Sequence, residues 1–446
     1  MKNNMKTPIY DFVKSYAESD SVRLHMPGHK GCGPLGFEKL DITEFLGADD
    51  LFAPDGIIAE SENNATALFG TAHSFYSTEG STLAIKAMLA LAVLGKKDAK
   101  ILASRAAHKS FLHAAALLDF DIEWIYPDGA KHLCDARVSA DAVEAKLSNG
   151  KYDAVYLTTP DYLGNITDVR EISAVTKKYN VPLLVDNAHG AYLSFLSENL
   201  HPIALGADMC CDSAHKTLPV LTGGAYLHIS KDADTAYLEY ARGILSLFAS
   251  SSPSYLIMQS LDLCNAYLAG GYKERLSKTI ERVKRVKERI CSLGFEIREG
   301  EPLKIVLSPL GFGYTGEDIA LKLKADGIEV EFFDKEFVVM MITPENTDGE
   351  LERLILSLSS VMRRDAIVCE ARPLVCSERA MSVREAILAK RERVNVSDSV
   401  GRVLAGAAVS CPPAIPIAVS GEVISKEAAE LFKLYNISEI EVVKNA

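Results

Sequence analysis

Lys216 lies between His215 and Thr217 in "DSAHKTLPVLTGG" (212–224), just after an apolar run. An ammonium group there is either an ordinary surface charge or a nucleophile that holds a carbonyl group as a Schiff base. Three other stretches bear on the choice. In "STEGSTLAIKAM", a strand-like run meets Gly80, Ser81 and Thr82 before a helical pattern. Unpaired N–H groups, the helix dipole and two hydroxyls suit an anion such as phosphate, although for this motif alone a plain N-cap is the simpler explanation. In "VPLLVDNAHGAY", Asp186 ends an apolar strand, where ligands gather in open α/β sheets, and His189 follows. Its carboxylate requires Lys, Arg, a metal or a protonated ring nitrogen, or else it caps the next turn. In "SRAAHKSF", His108 is either structural or a flat ring for stacking.

Each motif is weak alone, but the ordered set matches the needs of pyridoxal 5′-phosphate. A helix N-terminus takes the phosphate and an imidazole takes the ring face. A carboxylate takes the pyridine nitrogen, and a lysine takes the aldehyde.

The elements that must position these residues alternate along the first 230 residues. "HSFYS", "KILAS", "YDAVYLT", "VPLLVD", "ADMCCDS" and "GAYLHI" read as strands, most of them separated by helical patterns, which predicts an α/β layer with a mainly parallel, buried sheet. Beyond about residue 270 the pattern changes. A helix is predicted over Lys273–Leu293, with Leu276, Ile280, Val283, Val286 and Ile290 on one face and Gly294 as its cap. Four strands ("FEIRE", "LKIVLS", "IEVEFF", "FVVMMI") and a helix opened by the capping box Thr315–Asp318 complete a small α+β domain. A second capping box, Ser382–Glu385, precedes "SCPPAIPIAVSGE", read as a proline-stiffened loop. The expected organisation is an N-terminal arm (1–30), a cofactor-binding large domain (31–270), the small domain (271–365) and a C-terminal domain (366–446).

Composition sets the outer limits. The chain has 446 residues, is 48% hydrophobic and 24% charged, and carries a net charge of −12, which argues against a general nucleic-acid binder. Nine cysteines contain no CxxC pair, so neither a zinc site nor a disulfide framework is expected. His25 and His29 in "LHMPGHKGCG" lack the spacing of a metal site, and that segment lacks P-loop spacing. The polar N-terminus and the absence of a long apolar run predict a cytoplasmic chain with no membrane segment.

The chain resembles the Orn/Lys/Arg decarboxylases, fold-type-I pyridoxal-phosphate enzymes, in the short form without an N-terminal receiver-like domain. The resemblance spans nearly the whole chain, through "LHMPGHKG", "DITEFLGADDLFAPDGII", "EGSTLA", "AHKS", "VDNAHGA", "DSAHKTL", "SSPSYLIMQSLD" and "VGRVLAGAAVSCPPAIPIAVSGE" in order. It implies an aspartate-aminotransferase-like fold and decarboxylation of arginine, lysine or ornithine. It implies that Lys216 forms the Schiff base, Asp186 pairs with the ring nitrogen and His108 stacks on the ring. Gly80, Ser81, Thr82, Ser213 and His215 would surround the phosphate, with His189 near the ring hydroxyl. Lys216 or His215 would reprotonate Cα. Ser251 or Ser252 would reach the phosphate in a partner subunit, making a homodimer with shared sites.

Glu79, Ala106, Asn187, Asp161 and Tyr192 depart from the family pattern. These departures keep open another lyase, an aminotransferase or a catalytically silent regulatory paralogue. Asp49, Asp50 and above all Asp161 are the carboxylates expected to meet a cationic substrate.

Overall fold

A computed structural model of the chain describes residues 5–127, 129–130, 132, 135, 137–369, 374–406, 408–411 and 415–444, with backbone alone at 408–411 and 415. The predicted apolar strands join one seven-stranded sheet. With one further strand they make up β1 (His73–Ser77), β2 (Lys100–Ser104), β3 (Asp121–Ile125), β4 (Ala154–Thr158), β5 (Leu183–Asp186), β6 (Met209–Asp212) and β7 (Ala225–Ile229), in the order β1-β7-β6-β5-β4-β2-β3. β2 is parallel to β3 and β4, and β5 is parallel to β6, whereas β7 is antiparallel to β1 and β6. Every residue of β5, β6 and β7 is buried, so their sequences are apolar runs rather than alternations. β3 escapes the sequence reading because "DIEWI", at the sheet edge, is only partly buried and carries two acids.

Two compact units make up the chain: residues 1–96 with 169–275, and residues 97–168 with 276–446. In the first, the Gly80–Ala92 helix follows β1 and contributes nine buried residues from Leu83 onward. The N-terminal helix Pro8–Glu18 has no side-chain cap from Thr7. Asp262 substitutes, accepting the N–H groups of Ile9 and Tyr10, both at 3.0 Å, and the Ser61 hydroxyl at 2.5 Å.

In the second unit, β8 (Glu296–Arg298), β9 (Lys304–Ser308), β10 (Phe332–Phe333) and β11 (Val338–Met341) form an antiparallel sheet of order β10-β11-β9-β8. Val283, Val286 and Ile290 from the Tyr272–Ser292 helix pack into its core with Ile305, Leu307 and Val338. Ile280 stays partly exposed, and Thr279 is buried beside the predicted stripe. Both predicted capping boxes form, at Thr315–Asp318 and Ser382–Glu385.

The stretch expected as a stiff loop contains strand. β12 (Arg391–Asn395) pairs with β15 (Glu439–Val443), and β13 (Ala408–Cys411) pairs with β14 (Ile415–Val419), both antiparallel. Pro416 is accommodated at the register shift after Val409, where a missing N–H breaks no regular ladder. The connecting residues 412–414 lie outside the described residues.

Candidate active site

β1 ends in a tight turn at Gly80, whose φ of +69° favours glycine. A Cβ placed there would meet no heavy atom within 4 Å, so the turn faces open space. The Gly80 N–H donates to the Gly223 carbonyl at 2.7 Å, and the Ser77 hydroxyl donates to the Gly80 carbonyl at 2.9 Å. Glu79 occupies the N-cap position but does not cap. Its carboxylate instead accepts the Ser250 N–H at 2.6 Å. The first turn of the helix, with Ser81 and Thr82, therefore lacks a side-chain cap, and the simple N-cap reading fails here.

Opposite this turn, Ser213 donates to the Ser81 hydroxyl at 2.8 Å. Three residues on, Lys216 Nζ lies 3.1 Å from His189 Nε2. His215 Nδ1 lies 3.0 Å from the Gly224 carbonyl, which only accepts, so Nδ1 carries the proton and Nε2 is left for other work. Asp186 closes β5, almost wholly buried, and its Oδ1 accepts the Ala188 N–H at 3.2 Å and faces the Cys211 thiol at 3.6 Å.

A network that the sequence reading missed braces these strand ends. Asp212, next to Ser213, is fully buried. Its Oδ1 accepts the Asn187 amide at 2.6 Å, and its Oδ2 faces His201 Nε2 at 3.0 Å and His228 Nε2 at 3.2 Å. An ionised carboxylate only accepts, so both imidazoles present N–H there. His228 Nδ1 is in turn bonded to Ser74, which is bonded to Thr71, each at 2.8 Å. Burial alone would raise the Asp212 pKa, but the two histidines outweigh it and hold the carboxyl well below the usual range. Burial lowers His228. His201, Cys210 and Asp212 are the one group among the described residues whose potential metal-ligand atoms all lie within 4.8 Å of one another. The hydrogen bonds of Asp212 account for that arrangement. Asn187, one of the departures, supplies a neutral donor where an acid would set a second negative charge against Asp212.

His108 belongs to the second unit, where it caps the Lys109–Leu118 helix. Its Nδ1 accepts the Ser110 N–H at 3.2 Å, which leaves Nε2 as the protonated position of a neutral ring. Ser251 and Ser252 are exposed, and Ser254 is the residue that caps the following helix, Tyr255–Ala269.

The carboxylates expected to meet a cationic substrate are hydrogen-bonded within the chain. Asp161 is buried, accepts both the N–H (2.9 Å) and the amide (2.6 Å) of Asn165, and is pushed up to about 6 by burial. Asp49 accepts the N–H groups of Asp50, Asp55, Gly56 and Ile58 at 2.8–3.1 Å, which orders the entry to the Ile57–Phe69 helix. Asp50 closes a small turn onto the Phe52 N–H. In "LHMPGHKG", His25 bonds the Tyr16 hydroxyl at 2.6 Å and His29 bonds Asp41 at 3.2 Å, so the segment is tied down within its own unit.

The residues of the first unit fit pyridoxal phosphate. An open glycine turn and an uncapped helix start face a serine pair, with a lysine beside an imidazole and a buried carboxylate at the adjoining strand ends.

Comparison with known proteins agrees. Residues 7–309 match the family Orn/Lys/Arg decarboxylase, major domain, and residues 366–440 match its C-terminal domain. An arginine decarboxylase of Halalkalibacterium halodurans is 30% identical over 463 residues, covering 96% of this chain and 92% of that one. An arginine decarboxylase of Bacillus subtilis is 29% identical over 459 residues, covering 95% and 92%. The fold matches that of the Francisella novicida lysine decarboxylase LdcF with a TM-score of 0.83 at 18% identity, covering 99% of this chain and 82% of that one. Matching both family domains in order, the chain belongs to the Orn/Lys/Arg decarboxylases, pyridoxal-phosphate-dependent enzymes that act on basic amino acids.

Proposed function

We propose that the chain decarboxylates arginine, with Lys216 as the covalent anchor of the cofactor. The choice of arginine is supported by relatives of that name at about 30% identity along nearly their whole length. A lysine decarboxylase of Pseudomonas aeruginosa matches only 59% of the chain, at 24% identity. The anchor role is carried by the Lys216–His189 contact of 3.1 Å beside the open Gly80 turn.

Bound pyridoxal phosphate supplies the electron sink for the bond between Cα and the carboxylate. The rest falls to the chain. Lys216 Nζ provides the attaching amine, and His189 Nε2 beside it holds or releases a proton. Asp186 holds a proton at the ring nitrogen from a site nearly closed to water. Ser81, Thr82 and Ser213 bind the phosphate through N–H and hydroxyl groups, and Gly80, its own N–H spent on Gly223, leaves room for the phosphate to approach. His215, its Nδ1 fixed on a carbonyl, has Nε2 available to deliver a proton to Cα, as has Lys216 Nζ. His108 is assigned to the ring face by the resemblance.

Ser251 or Ser252 is assigned to a partner subunit's phosphate, in a cytoplasmic homodimer. Their exposure in the single chain supports this, since they are not used up in capping.

Purified protein loaded with pyridoxal phosphate should release carbon dioxide from arginine faster than from lysine or ornithine. Preference for lysine or ornithine would refute the substrate, and borohydride fixation of the cofactor to a lysine other than Lys216 would refute the anchor.

A further inference from the structure

Arg105 is fully buried, three residues before His108. Burying a guanidinium is costly unless its donors are met. Nε has no hydrogen-bond partner, and the groups that meet the two Nη atoms come from the far end of the chain. Nη1 donates to the Pro416 carbonyl at 2.9 Å, and Nη2 to the Ile417 carbonyl at 3.4 Å. The Glu422 carboxylate lies 3.5 Å from Nη2 and also accepts the Val419 N–H at 2.8 Å. The guanidinium lies 5.5 Å from the centre of the Trp124 ring, and the Arg105 N–H donates to the Ile125 carbonyl at 3.0 Å.

Two more arginines work in the opposite direction. Arg384, from the short Val383–Leu388 helix, donates to the Ala116 and Leu117 carbonyls at 2.6 and 3.2 Å. Those carbonyls close the helix that His108 opens, where a cation is favoured. Arg379 binds the Asp121 carboxylate and donates to the Ile122 carbonyl at 3.4 Å. Residues 379–384 and 416–422 thus hold the segment 105–122 before its helix, at the end of that helix and at the start of β3. All of these contacts lie within the second unit.

We infer that residues 379–384 and 416–422 form a splint that positions His108, with Glu422 and Arg384 as positioning residues acting through the imidazole. This rests on the ring-stacking role proposed for His108. A guanidinium locked between two carbonyls and a carboxylate fixes the backbone three residues from the imidazole. The capped far end of the helix stops the helix from sliding along its axis.

The test is a double-mutant cycle. Glu422→Gln keeps the shape and an acceptor for Val419 but removes the charge. Arg384→Ala sits on a partly exposed side chain, so it provides a second route if the first variant folds poorly. Each is made in the native chain and in a His108→Ala chain. The readouts are the dissociation constant for pyridoxal phosphate and the circular dichroism of the bound cofactor, with thermal melting as the control for folding. In the native chain either substitution should weaken cofactor binding about tenfold, within the range of couplings measured inside one contact network. It should also change the dichroism. In the His108→Ala chain the same substitutions should change neither. Equal losses in both backgrounds, or no loss in the native chain, would overturn the splint. If His108→Ala by itself leaves affinity and dichroism unchanged, the stacking role falls and takes the splint with it. That outcome is told apart by the single His108 variant.

Discussion

Removing the Asp212 carboxylate should loosen the strand ends that carry the candidate site, by an amount the structure allows to be worked out. Asp212→Ala leaves three donors facing a void: the Asn187 amide and the Nε2–H groups of His201 and His228. Each orphaned donor costs about 1–3 kcal/mol, and deleting one partner of a buried ionic network costs about 3–5 kcal/mol in total. Asp212→Asn should be milder. Its oxygen can accept from both histidines, while its amide meets the Asn187 oxygen after Asn187 flips, an oxygen that has no hydrogen-bond partner in the native arrangement. What remains is the difference between charged and neutral bonds, about 1–2 kcal/mol. Amide hydrogen exchange read by mass spectrometry on peptides covering β5 and β6 reports this local stability. A loss of 3 kcal/mol is about a 160-fold acceleration, and a loss of 1.5 kcal/mol about 13-fold. The gap should hold constant from pH 5 to 8. A depressed carboxylate contributes stability above its unfolded pKa and loses it only as pH falls through its low folded value. Acceleration below tenfold in the alanine variant, or equal effects in both, would refute the network as the brace.

Lys216→Ala should abolish borohydride labelling by the cofactor while leaving the melting profile near native; retained labelling would be counted against the anchor. Asp161→Asn should leave the ratio of kcat/KM for arginine over lysine unchanged, since the carboxylate is spent on Asn165. It should also flatten the dependence of stability on pH. A carboxyl raised to about 6 by burial stabilises the fold below its ordinary pKa and loses that contribution as pH climbs through 6, so the native chain should weaken more steeply than the variant across that interval in chemical denaturation. Mixing an inactive Lys216→Ala chain with one inactivated at Ser251 and Ser252 should restore activity in proven heterodimers, each with one complete site; no recovery would confine the serines to their own chain.

The strands of the large sheet were legible because burial on both faces makes each an apolar run, and the capping boxes because their partners are three residues apart. Lys216, Ser213 and Ser81 were legible as motifs, while the Glu79–Ser250 contact that frees the helix start joins residues 171 apart. Asp161 was legible only as an acid after a strand, which reads alike whether it faces a ligand or closes a turn, and its Asn165 contacts join residues the sequence does not pair. Asp212 went unread beside its more conspicuous neighbours, since its partners come from three other places in the first unit. The β13–β14 hairpin was masked by its prolines.

The Arg105–Glu422 pair also sets a clock. Its members are 317 residues apart, and the first unit is complete in sequence at residue 275. A ribosome adding about 5–20 residues per second needs roughly 15–60 s to travel from one partner to the other. Once residue 168 has been added, residues 97–168 are complete for the rest of that interval, but the carboxylate that lets Arg105 be buried is not yet made. The first unit can therefore close while the nascent second unit still keeps its central arginine in water, and synthesis of the C-terminal segment is the event that allows the rest of that unit to condense.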